Sequence, residues 1–137
     1  MDNYFDIQEF IIDPDMECVP IHVVQKIDRY HKPILNRIRA QLECPVIISK
    51  HSGYRSVEWE EARGRDGSSQ HTFRHKGAVD VTCRQMRFPE LLNLFKLSEY
   101  RRVCLYPDEM FIHCDFDGHE KVYYECENGI WKYKGNR

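Results

Sequence analysis

The sequence lacks the features that would place it in several large functional classes. It has no apolar run near the roughly 20 residues that cross a bilayer, so membrane insertion is not expected. It has no block of basic residues: 20 Lys and Arg stand against 22 Asp and Glu, both signs are spread along the chain, and the net charge is −2. Binding a phosphate backbone needs a concentrated cationic surface, so nucleic acid is not an expected partner. The first ten residues hold Asp2, Asp6 and Glu9 where a secretory leader places positive charge and then an apolar core. Synthesis in the cytoplasm without a signal peptide is therefore expected. No internal repeat, low-complexity stretch or linker interrupts the chain, and 137 residues are too few to bury two cores. A single domain over residues 1–137, acting as a monomer, is the expectation.

Six cysteines are present, but no two stand at the C-x-x-C spacing of structural zinc or dithiol redox sites. Without a leader, Cys18, Cys44, Cys83, Cys104, Cys114 and Cys126 read as free thiols, mostly packed as small hydrophobes. What the chain does have is periodicity. Tyr4, Phe5 and Phe10 anchor a short N-terminal segment, and the acidic, Pro14-containing stretch from Ile11 to Cys18 reads as a loop. Val23, Val24, Ile27, Ile34, Leu35, Ile38 and Leu42 recur at helical spacing, with Pro33 predicting a kink or two abutting helices. Pro45 to Ser49 reads as a buried strand, Ser56 as the cap of a short helix, and Pro89 as the opening of another. Strand-like segments follow at Gly77 to Cys83, Val103 to Tyr106, Met110 to Phe116 and Val122 to Cys126. Asn128-Gly129 then makes a tight turn into Ile130 to Tyr133. Helices early and strands late predict an α+β fold: an antiparallel sheet with N-terminal helices packed on it.

Three segments carry chemistry: Ser52-Gly53-Tyr54-Arg55-Ser56, Ser69-Gln70-His71 with Gly77-Ala78-Val79-Asp80, and Phe111-Ile112-His113-Cys114-Asp115. Taken one at a time, each of these residues would be structural: a lone His is usually a surface or satisfied core residue, and Arg55 could pair with a nearby Glu. Taken together, two imidazoles and a carboxylate from separate segments form a donor set suited to Zn2+, with a fourth position left open. Alternation on a strand turns Asp80 away from the face that Val79 and Val81 bury. It likewise puts His113 and Asp115 on one side, with Ile112 and Cys114 opposite. His75 lies closer to Asp80 in sequence and competes with His71 as the ligand. His51 abuts the Ser-Gly-Tyr-Arg turn and is a candidate supporting residue, whereas His22 and His31 read as ordinary helical residues.

In this order the segments resemble the zinc D-alanyl-D-alanine carboxypeptidases and related peptidoglycan endopeptidases, whose fold is shared with Hedgehog signalling domains. The resemblance covers roughly Tyr4 to Gly118 and rests on Ser52 to Ser56, Ser69 and His71 with Gly77-Ala78 and Asp80, and Phe111 to Asp115. It implies His71, Asp80 and His113 as zinc ligands, Arg55 as the residue facing substrate or a developing oxyanion, and Ser69 as a substrate-side neighbour of the first ligand. It also implies a peptidoglycan stem peptide as substrate, in the setting of a phage lysin or virion-associated enzyme that reaches the cell wall on lysis or in a particle. Two departures stand out. The segment between His71 and Asp80 is longer than the family's usual one, and Met110 occupies the position where many members place an acidic general base. Asp115, Asp108 and Glu109 are the nearby carboxylates, and Asp115, on the face of His113, is the expected substitute. Met110 also keeps a second reading open: a zinc-containing binding or virion structural module without turnover.

Overall fold

The computed structural model describes residues 3–11, 19–49 and 53–137. The acidic stretch 12–18 with Cys18, together with His51 and Ser52, lies outside the described residues.

The helical periodicity produces α1 (Ile21–Lys26) and α2 (Lys32–Leu42), joined without a break through a π-helical turn at Ile27–His31. Pro33 is the physical reason. It has no N–H to give a carbonyl one turn back, so the helix widens ahead of it, and the Lys32 N–H donates to Ile27 O, five residues back. The turn buries Ile27 and His31, and α2 continues the same buried face with Leu35, Ile38 and Leu42. His31, which the sequence leaves as an ordinary helical residue, is a satisfied core histidine: its ring nitrogens lie 2.8 Å from Tyr100 Oη and 2.8 Å from Lys76 O. Burial lowers its pKa to about 4, so the ring is neutral in the folded protein at pH 7.

After β1 (Ile47–Ile48) comes α3 (Val57–Ala62), capped by Ser56 Oγ accepting from Trp59 N at 3.0 Å. β2 (Ala78–Thr82), α4 (Phe88–Lys96), β3 (Arg102–Tyr106), β4 (Phe111–Asp115), β5 (Val122–Glu127) and β6 (Ile130–Asn136) complete the chain. The strands form one six-stranded sheet in the order β1-β2-β4-β3-β5-β6. The expected strand at 45–49 shrinks to two residues at the sheet's edge, with Ile48 buried and Ile47 exposed.

The sheet is mixed rather than purely antiparallel, because β5 runs parallel to β3. β4 ends opposite the start of β3, with Asp115 beside Arg102. Residues 116–121 then step across β3 and lay β5 along its free edge, where Val122 also pairs with Arg102. A strand placed that way is antiparallel to β4 and hence parallel to β3. Val79, Val81, Val103, Ile112 and Cys114 belong to the hydrophobic core with α2 and α4. The opposite face carries Asp80, His113 and Cys104 side by side in register, and this is the face that builds the site. Cys44, Cys83, Cys104, Cys114 and Cys126 are free thiols, and no described helix is long and apolar enough to cross a membrane.

Candidate metal centre

Asp80 and His113 are cross-strand partners on β2 and β4, so the sheet register itself brings them together. His71 arrives on a one-turn 3-10 helix, Gln70–Thr72, capped by Ser69 Oγ accepting from His71 N at 3.2 Å. The three side chains are buried and meet at a point. His71 Nε2 lies 3.3 Å from His113 Nδ1 and 3.3 Å from Asp80 Oδ1, and His113 Nδ1 lies 2.9 Å from Asp80 Oδ1. Bonds of roughly 2.0–2.2 Å at tetrahedral angles separate zinc donors by about 3.3–3.5 Å, so this donor set fits the ion with little movement. His75 is exposed and lines a neighbouring groove, so the competition between the two histidines resolves to His71.

The nitrogens turned away from this point are held as well. His71 Nδ1 lies 2.9 Å from Gly53 O, and His113 Nε2 lies 2.7 Å from Asp115 Oδ2. A histidine that donates one N–H outward presents its other nitrogen as a lone pair inward, which is what a metal ligand requires. Gly53 can hold this post only as glycine, because a Cβ there would sit 2.3 Å from Phe10 O. Tyr54 N donates to that same carbonyl at 2.6 Å, and Arg55 N donates to His71 O at 2.9 Å. The Gly-Tyr-Arg segment is thereby fixed both to the N-terminal segment and to the turn carrying the first ligand.

Arg55 lies with Nη2 3.7 Å from Asp80 Oδ2 and Nη1 3.7 Å from the fully buried Glu60, whose other oxygen accepts from Arg65 Nη1 at 2.9 Å. A cleft of about 550 Å³ opens beside the ligands, lined by Arg55, Ser69, Phe111 and Asp117 among others. Asp115 does not line it. Fully buried, Asp115 accepts at Oδ1 from Arg102 Nε (2.8 Å) and Asp117 N (2.9 Å), and at Oδ2 from Arg102 Nη2 (2.7 Å) and His113 Nε2. Burial opposes its charge, but hydrogen bonds from His113 and Arg102 outweigh that and hold its carboxyl well below the usual carboxylate range. The expectation of a proton acceptor at Asp115 gives way to an orienting carboxylate, because both of its oxygens are already committed. Asp108 and Glu109 are exposed in the turn between β3 and β4, and neither they nor Met110 lines the cleft. Among the described residues that do, Asp117 is the one carboxylate besides Asp80. No strand pattern in the sequence singled it out, because β4 ends at Asp115 and Asp117 lies just beyond it.

The same geometry fixes a pH response. Burial opposes charging of His113, but hydrogen bonds to Asp115 and Asp80 prevail and raise its pKa to about 9. The metal-free protein at pH 7 therefore carries an imidazolium that zinc must deprotonate. Zinc binding at pH 7 is expected to release roughly one proton from His113, read by calorimetry in buffers of different ionisation enthalpy. Zero protons released would contradict this assignment. Stability of the metal-free protein should also peak near pH 6.5. Above it, the contribution of His113, whose folded pKa is raised, is lost as pH rises toward 9. Below it, the unfolded chain protonates His31 while the fold resists until pH 4, a loss of about 3 kcal/mol across that window. Denaturant midpoints from pH 4.5 to 9 measure both limbs, and His31→Gln should remove much of the acid one.

The family model for peptidase M15 matches residues 3–115. The chain belongs to that family, whose members are zinc-dependent peptidases, and His71, Asp80 and His113 stand as its candidate metal ligands. Comparison with curated proteins and with solved structures gave no match.

A supporting prediction separates Asp115 from the chemistry. Asp115→Asn keeps the shape of β4 but loses the charge that holds Arg102 and His113. Zinc affinity should fall about 10–100-fold by competition with a chelating dye. Stability should drop by about 1–3 kcal/mol. Unchanged zinc affinity would mean that Asp115 does not orient His113.

Proposed function

We propose that the protein is a zinc peptidase that hydrolyses a peptide bond in peptidoglycan stem peptides, one involving a D-amino acid. The observation that carries the reading is the convergence of three buried donors, close enough to hold zinc with little movement, beside an open cleft in a chain of the M15 family. When bound, zinc supplies the site's Lewis acidity, which polarises a carbonyl and acidifies water. Everything else falls to the chain's own groups. Arg55, anchored between Asp80 and Glu60, holds a substrate carboxylate or the oxygen on which negative charge develops. Ser69 lines the cleft beside the first ligand and offers a hydroxyl to the peptide backbone. Asp117 takes the proton from the attacking water and returns it to the leaving amine. Its side chain is half-exposed and 3.7 Å from Arg102 Nη1, so it meets the cleft as an accessible carboxylate.

A phage lysin or virion-associated setting accords with a small domain acting on a polymer outside the cell. The test is to incubate purified peptidoglycan with zinc-loaded and chelated protein and read the products by mass spectrometry. Zinc-dependent release of stem-peptide fragments is expected. Retention on peptidoglycans of several stem chemistries with no fragments from any would instead favour a binding or virion structural module, the reading that Met110 motivates.

A further inference from the structure

The last two strands bring into the cleft a wall that the three sequence motifs do not contain. β6 folds back on β5 through Asn128 and Gly129, whose φ values of 53° and 76° are those of a tight hairpin turn. Trp131 pairs with Cys126, two residues beyond Tyr124, and Tyr124 pairs with Cys104 beside His113. Alternation along β5 therefore sets Trp131 on the ligand face of the sheet. Its ring centre is 5.1 Å from that of His113, and its Nε1–H donates to Tyr106 Oη at 2.8 Å. The Tyr106 ring is stacked on Phe111 at 4.3 Å and 16°. The Arg102 guanidinium lies 5.0 Å over the Trp131 ring while clamping Asp115. Trp131, Tyr106 and Phe111 line the same cleft as the metal ligands, yet the hairpin lies beyond the segment matched to the family.

Such a ring is oriented before any ligand arrives. Held by a hydrogen bond at one edge and a cation over its ring, it loses little freedom on contact, so the apolar area it covers converts efficiently into affinity. Shielding His113 would not by itself require that part of the indole stay exposed to the cleft, as it does here. We propose that Trp131, supported by Tyr106 and Phe111, is the specificity-determining wall of the cleft and receives the flat apolar face of the substrate group flanking the scissile bond. This inference rests on the peptidase reading above. That face has two sources in peptidoglycan: the aliphatic part of a stem-peptide side chain, or the sugar ring to which the stem is attached.

The experiment compares a free stem peptide with the same peptide carrying an N-acetylmuramoyl group, using zinc-loaded wild type, Trp131→Phe, Trp131→Leu and Trp131→Ala. KM is measured where a peptide is cleaved and Kd by calorimetry where it is not. Trp131→Ala should raise that constant roughly tenfold or more, Trp131→Leu less, and Trp131→Phe little, with kcat and zinc content close to wild type. An effect confined to the muramoyl peptide identifies the sugar ring, and an equal effect on both identifies the stem. Wild type that binds without cleaving would sink the peptidase reading while leaving the wall to be judged on Kd. If Trp131→Ala does not fold or loses zinc, Trp131→Leu decides. Wild-type constants in the Ala and Leu proteins for both peptides overturn the proposal, as does wild type that binds neither.

Discussion

Asp117→Asn is expected to lower turnover by roughly two to four orders of magnitude while zinc stays bound at the wild-type level. The asparagine keeps the size of the side chain and its place beside Arg102 but no longer accepts a proton. The contrast with Asp115 is what makes the experiment informative. Asp115 has both oxygens committed to Arg102, Asp117 N and His113, so its replacement acts through the metal. Asp117 lines the open cleft with a half-exposed carboxylate, so on the proposed mechanism its replacement acts on the chemistry. A pH profile of kcat/KM should lose its acid limb in Asp117→Asn. Turnover that survives undiminished would remove Asp117 from the mechanism and return attention to the carboxylates of the β3–β4 turn.

Arg55→Ala should reduce turnover by roughly two to three orders of magnitude, again with zinc retained. The guanidinium ligates nothing, yet it is largely buried, lines the cleft, and lies within 3.7 Å of both Asp80 and Glu60. Those two carboxylates from different elements fix its direction, so the charge is in place before substrate arrives. Lysine at this position would restore the charge but not the planar fork, and Arg55→Lys is expected to recover only part of the loss. A binding module would respond differently, with Arg55→Ala weakening retention on peptidoglycan and nothing else. Loss of zinc in Arg55→Ala would show that the residue supports the ligand cluster rather than the substrate.

Much of this site was legible because strands alternate. Val79 and Val81 against Asp80, and Ile112 and Cys114 against His113 and Asp115, identify the two faces of β2 and β4 without any structure, and the register then makes Asp80 and His113 neighbours. The choice of His71 over His75 came from the family resemblance and not from spacing, since both sit in one loop. In the structure it depends on the 3-10 turn that Ser69 caps and on Gly53 reaching the outer nitrogen. Asp115 was placed on the face of His113, but its burial and its clamping by Arg102 were not legible. Its partner Arg102 becomes visible only when β3 pairs with β4. Trp131 was out of reach for a related reason. Its approach to His113 requires β5 to lie parallel to β3, a long-range pairing with no local sequence signal, whereas the Asn-Gly turn that precedes it is entirely local.

The most direct test of the metal centre is metal analysis of the purified protein and of its His71→Ala and His113→Ala variants after identical zinc loading and desalting. About one zinc per chain is expected in the wild type, and little in either variant, since each loses one of three protein donors from a site closed by their mutual contacts. Full zinc occupancy in both variants would place the metal elsewhere and contradict the assignment of His71, Asp80 and His113.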